Sequence, residues 1–534
     1  MAAVASGTDD LFDHEADVVV VGAGGAGYSA ALTAANEGAS VLILEWGGAP
    51  GGTTILSGGT AWIPNNRLMR AQGIADPRED CLKFLCRLAY PQYYDPDRET
   101  LGLPADRYAL IAAFYDHGAE TIDYLCDLGA MEVYFDGDTP DYHAPMDEDR
   151  APYGRRVPQV GGSEPMFERL ERARERLGVR LLVDHRVLDV VRNDAGEICG
   201  VEARSGVRTV LVRANRAVVF ATGGYLHNPD LVREYLPGRV FGGCATPNAV
   251  GDFFRIGESL GAPLGNLGRA WWKQIVVERG IRGPGVIGLP VAAGDSMVQV
   301  NRHGRRVVNE KAPYNERGQA HFAWDATGRE YSNTVLFHIW DQACAEVEDL
   351  GWRMPIPWPG TTEDYVIEGA TFGELADGIQ ARLDVLRPHT GPIRLAPDFV
   401  AELGRTVERF NGFATAGVDP DFHRGERAIE RKWNGAGRPG SANPTMAPFA
   451  AEGPYYCAIV GAGAFDTNGG PRTNEKAQVL GGDGAPIPGL YGAGNCVASI
   501  AGQAYWGPGG TIGPALTFGH IAGGHAAKEP EKFL

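Results

Sequence analysis

The sequence predicts an α/β fold: a discontinuous, Rossmann-like dinucleotide-binding domain assembled from both ends of the chain, with an α+β domain inserted between its two parts. Three observations predict it. Near the N-terminus a strand, a glycine turn, a helix and a second strand follow one another in the order of a dinucleotide-binding unit. From about 275 to 440 the composition shifts toward Trp, Pro and Arg, and after Pro454 a β-rich, glycine-rich texture returns. The 534 residues also exceed what one core supports, since single cores stop growing at roughly 250 to 300 residues. The expected division is 1–275 and 441–534 for the two parts of the dinucleotide-binding domain and 276–440 for the insert.

The N-terminal unit carries the most information. Asp17 to Val21 is a β-branched run suited to a parallel strand buried on both faces. Gly22-Ala23-Gly24-Gly25-Ala26-Gly27 follows at once, Tyr28 to Glu37 reads as an alanine-rich helix, and Ser40 to Glu45 as a second buried strand ending in an acid. The interval from Gly22 to Glu45 suits a phosphate-binding turn followed by the carboxylate that takes a ribose hydroxyl. Gly22 makes the tight turn, Gly24 admits the pyrophosphate to the backbone, and Gly27 lets the helix pack on its strand. The phosphates then meet the helix's positive end.

Residues 76 to 177 read as mainly helical, and 180 to 224 as several strands, the last ending in Ala221-Thr222-Gly223-Gly224. Small residues there let backbone lie against a cofactor; the competing reading is an ordinary sheet turn. A further helix is expected over 248–262, opening with Gly251 and Asp252, and Gly489 to Asn495 ends another strand in small residues. Glycine totals 74, far above average usage and without a collagen period, which fits many turns approaching a large ligand.

Bulk properties exclude other classes. A net charge of -18 disfavours nucleic acid and anionic membrane surfaces. The eight cysteines stand apart, without C-x-x-C pairs or histidines at zinc spacing, so neither a disulfide framework nor a structural metal is expected. Reduced thiols suit a cytoplasmic protein. The apolar stretch Ala16 to Ala35 follows Asp9, Asp10, Asp13, His14 and Glu15 rather than a basic front, and glycines interrupt it. It reads as strand, turn and helix, not as a secretion signal, and no other run is long enough to span a membrane.

Several segments resemble the fumarate-reductase-like flavoproteins, and within them the 3-ketosteroid dehydrogenases, over nearly the whole chain. They are the first glycine motif, the second glycine cluster Gly51 to Gly59, Trp62-Ile63-Pro64-Asn65-Asn66, Pro140-Asp141-Tyr142-His143, Gly304-Arg305-Arg306 through Asn309-Glu310 to Pro313-Tyr314, and Tyr505 through Gly509 to Pro514. The resemblance implies FAD as the cofactor, in a binding domain of the fumarate-reductase type. Some such proteins tether FAD through a histidine near the second cluster; residues 46 to 66 have none, so noncovalent FAD is expected. Dicarboxylate enzymes of this kind use arginines and histidines where this chain offers Phe465 and Asp466, and Asp466 would repel a dianion.

On this resemblance the cofactor is held by Gly22, Gly24, Gly25, Ala26 and Gly27, by Glu45 and Trp46, and by Gly52, Thr53, Thr54, Ser57, Gly58 and Gly59. Val187, Ala221, Thr222, Gly223, Asp252, Gly494, Asn495, Gly510, Thr511 and Ile512 complete the set. Asn495 has two readings, a partner for ribityl hydroxyls or a cap for the next helix.

The chemistry implied is desaturation beside a ring ketone, a 3-ketosteroid being the leading substrate. It needs a polarised carbonyl, a base for the α-proton, and flavin N5 to take the β-hydride. The resemblance assigns carbonyl polarisation to Tyr505 and the Gly509 amide, the base to Tyr314, and assistance to Tyr142. A tyrosine ordinarily ionises near pH ~10, so Tyr314 as base requires help from its surroundings. Arg306 and Lys311 are candidates, although charges beside a turn are usually solvated. For each tyrosine the competing reading is a core aromatic with its hydroxyl bonded. Trp271, Trp272 and Phe465 are either an apolar substrate slot or core. Trp506 stands where the resemblance leads one to expect proline, and its indole is expected to reshape the pocket beside Tyr505. Rival functions are an enone reductase of the same fold, a dehydrogenase of non-steroid cyclic ketones, and a flavin redox relay.

Overall fold

The β-branched run at the N-terminus forms a strand, His14–Val21, flanked on both sides by parallel neighbours, Val41–Leu44 and Arg208–Phe220. Val18, Val19 and Val20 are wholly buried, as a central parallel strand requires. The structure, a computed structural model, describes residues 11–137, 139–144, 146–348, 350–434 and 437–533; Asp9 and Asp10 of the acidic front lie outside the described residues.

The chain divides into two compact units. The first comprises Met1–Leu231, Ala245–Ala270 and Asp466–Leu534. Its sheet runs in the order Gln478–Leu480, Pro486–Gly492, Arg208–Phe220, His14–Val21, Val41–Leu44, Arg180–Leu182, with Arg186–Arg192 and Ile198–Ser205 forming an antiparallel extension from Arg208–Phe220. A C-terminal strand, Pro486–Gly492, therefore pairs in parallel with one from the first half of the chain. The helix Gly25–Asn36 packs against the C-terminal helix Ile512–Ala526. A Cβ on Gly519 would overlap the Ala26 carbonyl, and one on Gly523 the Ala30 carbonyl, so these glycines set the separation of the two backbones.

The second unit comprises Val232–Cys244 and Trp271–Phe465. Its sheet is ordered Ala270–Val276, Tyr455–Thr467, Val335–Asp341, Met297–Val300, with Ile367–Gly369 also on Tyr455–Thr467. Helices Phe372–Thr390 and Phe399–Ala416 cover it, burying Leu375, Ile379, Leu403 and Phe410 with Phe337 and Ile339. Arg306 and Lys311 are buried here, which corrects the expectation of solvated charges. Arg306 pairs with Glu310 and Asp419 at 2.7 Å each, and the Lys311 ammonium donates to the Ala292 carbonyl at 2.6 Å. Against the upward push of burial, Arg306 and Arg424 draw the Glu310 carboxyl down to about 2. No helix among the described residues is long and apolar enough to cross a membrane.

Candidate cofactor and active site

In the first unit the glycine turn lies between strand His14–Val21 and helix Gly25–Asn36, with Gly24 as the helix cap. Gly22 has φ +107°, and a Cβ there would overlap the Ala221 carbonyl at the end of the neighbouring strand. A Cβ on Gly27 would overlap the Gly22 carbonyl. The cap residue, Gly24, has no side chain of its own, so the helix's positive end meets the turn as bare backbone. Gly52 of the second cluster approaches Gly24 closely, a Cβ there lying 3.4 Å from the Gly24 Cα, and the Thr54 hydroxyl accepts the Gly25 amide at 2.9 Å. A backbone cradle this bare suits a pyrophosphate.

Glu45 accepts the Ala23 amide at 2.8 Å and the Gly47 amide at 2.6 Å. A carboxylate offers about four lone-pair sites, so capacity remains for ribose hydroxyls. The Arg186 guanidinium lies 4.0 Å over the Trp46 ring, and Asp252 grips that guanidinium at 2.8 and 2.7 Å. Asp252 thus orders a flat Trp46–Arg186 wall, with Val187 buried beside it in the same strand. Ser57 donates to the Thr54 carbonyl at 2.6 Å and accepts the Gly59 amide at 3.0 Å, while the Thr53 hydroxyl accepts the Thr246 amide at 3.3 Å. Gly58 has open space where a Cβ would stand.

Asn495 lies in a short 3-10 turn, Gly494–Cys496, well before the helix at Ile512, and its side-chain amide donates to Asp466 at 3.2 Å. Asp466 also accepts the Gly224 amide at 2.8 Å. Burial raises its carboxyl to about 6. Its acceptors thus tie the turn at Gly224, beyond strand Arg208–Phe220, to the C-terminal segment, an internal role the sequence did not show.

The aromatic groups fall into two sets. In the first unit Tyr142 and Tyr505, both buried, stack with ring centroids 5.9 Å apart at 18°. The His143 imidazole donates from Nε2 to the Tyr505 carbonyl at 3.2 Å. Gly510 lies against the Tyr505 ring, so the tyrosine leads directly into Gly510, Thr511 and Ile512 at the start of the C-terminal helix. Gly509 has φ +98° and sits on the strand Thr60–Trp62. The Trp506 indole does not stand beside Tyr505 as a free wall. It packs 5.7 Å from both Phe114 and Trp62 and donates to the Leu85 carbonyl at 3.4 Å, which corrects the expectation of a reshaped pocket.

In the second unit Tyr314 opens the short helix Tyr314–Gln319, stacked on Trp433 at 6.4 Å and edge-on to Phe465 at 5.2 Å. The Lys273 ammonium lies 4.3 Å over the Phe465 ring. Burial lowers this lysine to about 8. Trp271 and Trp272 are buried, and Trp272 packs on Phe322 at 4.7 Å. Of their two readings the core one describes Trp272, whereas Phe465 is half-buried beside Tyr314.

Arg155, which binds the side chain of Asp141, the neighbour of Tyr142, carries no role that the sequence announces. Its guanidinium binds three buried carboxylates, Asp76 at 2.8 Å, Asp141 at 2.8 Å and Asp149 at 2.7 Å. Asp76 lies far off along the chain, while Asp141 and Asp149 stand 14 and 6 residues before Arg155 at no spacing that marks a cluster. Burial pushes the Asp141 carboxyl up to about 7, against the pull of Arg155 and with a further push from Asp149. Because this lies above an aspartate's ordinary 3.8, its contribution to stability is complete in acid and is withdrawn as pH rises through about 7. Arg155→Met leaves uncompensated buried charge and should cost about 3–5 kcal/mol, read as a lower urea midpoint at neutral pH. An unchanged midpoint would refute the energetic role given to this cluster.

A two-part Rossmann-like domain with a bare phosphate cradle and a tyrosine pair beside its C-terminal helix defines a flavin-dependent oxidoreductase. The chain belongs to the FAD binding domain family, which matches residues 17–512. It is an FAD-dependent oxidoreductase of the fumarate-reductase-like flavoprotein superfamily, with relatives that are ring-ketone dehydrogenases acting on CH–CH groups. It is 32% identical to 4-oxocyclohexanecarboxylate 2-dehydrogenase of Sinomonas cyclohexanicum, covering 95% of this chain and 92% of that protein. It is 28% identical to 3-oxosteroid 1-dehydrogenase of Mycolicibacterium smegmatis, covering 95% and 96%. In fold it is similar to the 3-ketosteroid delta1-dehydrogenase of Sterolibacterium denitrificans, solved with 1,4-androstadiene-3,17-dione. The TM-score is 0.81 at 24% identity, covering 96% of this chain and 99% of that one.

Proposed function

We propose that the protein introduces a carbon–carbon double bond α,β to the carbonyl of a ring ketone. The observation that carries this reading is the buried Tyr142–Tyr505 pair, with Gly509 four residues beyond Tyr505, leading into the segment that holds the cofactor. The Tyr505 hydroxyl and the Gly509 amide donate to the carbonyl oxygen and stabilise negative charge as it develops there. Tyr314 receives the α-proton, and Tyr142 assists it. FAD, when bound, would supply the acceptor for the β-hydrogen with its two electrons. The cradle of Gly22, Gly24, Gly27 and Gly52 holds its pyrophosphate, Glu45 its ribose, and the Trp46–Arg186 wall its adenine, all noncovalently.

Among ring ketones, a monocyclic 4-oxocyclohexane substrate comes ahead of a 3-ketosteroid, supported by 32% identity to the enzyme of the monocyclic ketone against 28% to the steroid enzyme. Steady-state turnover with an artificial electron acceptor separates the two. The expected result is a higher kcat/KM for 4-oxocyclohexanecarboxylate than for a saturated 3-ketosteroid, with a conjugated enone as product. A preference for the steroid reverses the order, and hydrogenation of enones without any desaturation favours a reductase.

A further inference from the structure

Trp62 holds the oxyanion segment by two routes. Its amide donates to the Gly509 carbonyl at 3.1 Å, and its carbonyl lies where a Cβ on Gly513 would stand. The edge of its indole does the same at Gly507, where an added Cβ would overlap Nε1 and lie 2.8 Å from Asp141 Oδ1. The indole itself is fixed by one polar contact, Nε1 donating to Asp141 Oδ1 at 2.7 Å, and by packing on Trp506, Phe84 and Phe114. Asp141 is also the chain neighbour of Tyr142.

We propose that Asp141 is a positioning residue for the proposed desaturation: through Trp62 it sets the Gly507–Gly513 segment, and with it the Gly509 amide that polarises the substrate carbonyl. This inference rests on the ring-ketone reading above.

Asp141 and Asp149 both bind the same Arg155 nitrogen, and Asp149 Oδ2 is a buried oxygen without a hydrogen-bond partner. One guanidinium faces three carboxylates. A proton held on Asp141 relieves the excess charge. The other titratable groups facing this cluster are Cys81, whose thiol feels Arg155 and the three acids, and Tyr115, whose hydroxyl donates to the Asp76 carbonyl at 2.5 Å. As pH rises through about 7 Asp141 loses that proton, and a further buried negative charge appears next to the Trp62 anchor.

The test compares wild type, Asp141→Asn, Asp141→Ala and Trp62→Phe as FAD-loaded full chains. Asn keeps an acceptor for the indole without titrating; Phe keeps an aromatic ring but removes the indole donor together with part of the buried ring volume. Hydrogen–deuterium exchange of a peptide spanning 505–513 should be roughly tenfold faster in Asp141→Ala and Trp62→Phe than in wild type and Asp141→Asn. With a ring ketone, kcat should fall about 10- to 100-fold in those two variants with KM little changed. The ratio of kcat in Asp141→Asn to that in wild type should rise as pH passes about 7. Should Asp141→Ala not fold, Trp62→Phe carries the same two readouts. Unchanged exchange in the segment overturns the positioning role whether or not any ketone reacts. Faster exchange with unchanged kcat in an active enzyme also overturns it, as does a kcat ratio flat across pH. A wild type that turns over no ring ketone removes the functional reading instead, and leaves exchange to judge the coupling.

Discussion

Tyr505→Phe is expected to lower kcat for ring-ketone desaturation by about 10²–10³-fold, the usual loss when one oxyanion donor is removed. FAD content and the urea midpoint should stay near those of wild type, because the phenyl ring retains the stack on Tyr142 and the contact with Gly510. KM should change much less than kcat, since the lost hydrogen bond strengthens as charge moves onto the carbonyl oxygen. Rapid mixing under single-turnover conditions reads this directly, as slower loss of visible flavin absorbance at saturating ketone. Turnover equal to wild type for every ketone tested would remove Tyr505 from the mechanism and favour a redox relay in which the tyrosines only pack.

The second large effect is on cofactor binding. Gly27→Ala places a methyl group onto the Gly22 carbonyl oxygen, so the glycine turn and the helix cannot both keep their positions. The cost falls on the cradle itself, and FAD affinity should fall at least about 10²-fold, equivalent to roughly 2.7 kcal/mol. The purified variant should be largely colourless, and titration with FAD should give a correspondingly higher Kd. Gly404→Ala serves as the control. That glycine lies within helix Phe399–Ala416 of the second unit with nothing within 4 Å of an added Cβ, so flavin content should not change. If Gly27→Ala binds FAD as tightly as wild type, the pyrophosphate does not sit on this turn.

What was legible in the sequence was whatever is encoded locally. The run Asp17–Val21, the glycine turn and the strand ending at Glu45 follow from residue type and spacing, because a phosphate cradle needs bare backbone at fixed offsets. Helix and strand limits differed by a few residues; the first helix begins at Gly25, not Tyr28, since Gly24 already serves as its cap. The β-rich texture after Pro454 begins with Tyr455–Thr467, a strand of the second unit's sheet; the chain rejoins the first unit only at Asp466, and there Pro486–Gly492 pairs with Arg208–Phe220.

What the sequence did not show depends on partners distant along the chain. Arg155 is one arginine among many until folding brings Asp76, Asp141 and Asp149 around it. Trp506 read as an intrusion beside Tyr505 because nothing local says that Phe114 and Trp62 await its indole. Arg306 and Lys311 read as solvated for the same reason, their acceptors Asp419 and Ala292 lying far off in sequence. The pair Gly519 and Gly523 did carry a local signal, two glycines four apart in a helix, and it marks the close approach to Gly25–Asn36.

Anaerobic mixing of the FAD-loaded protein with a saturated ring ketone tests the central claim most directly. Desaturation requires the bound flavin to lose its visible absorbance as the ketone becomes an enone, one enone formed for each flavin reduced. A flavin that stays oxidised in the presence of 4-oxocyclohexanecarboxylate and of saturated 3-ketosteroids alike, with no enone formed, would contradict it.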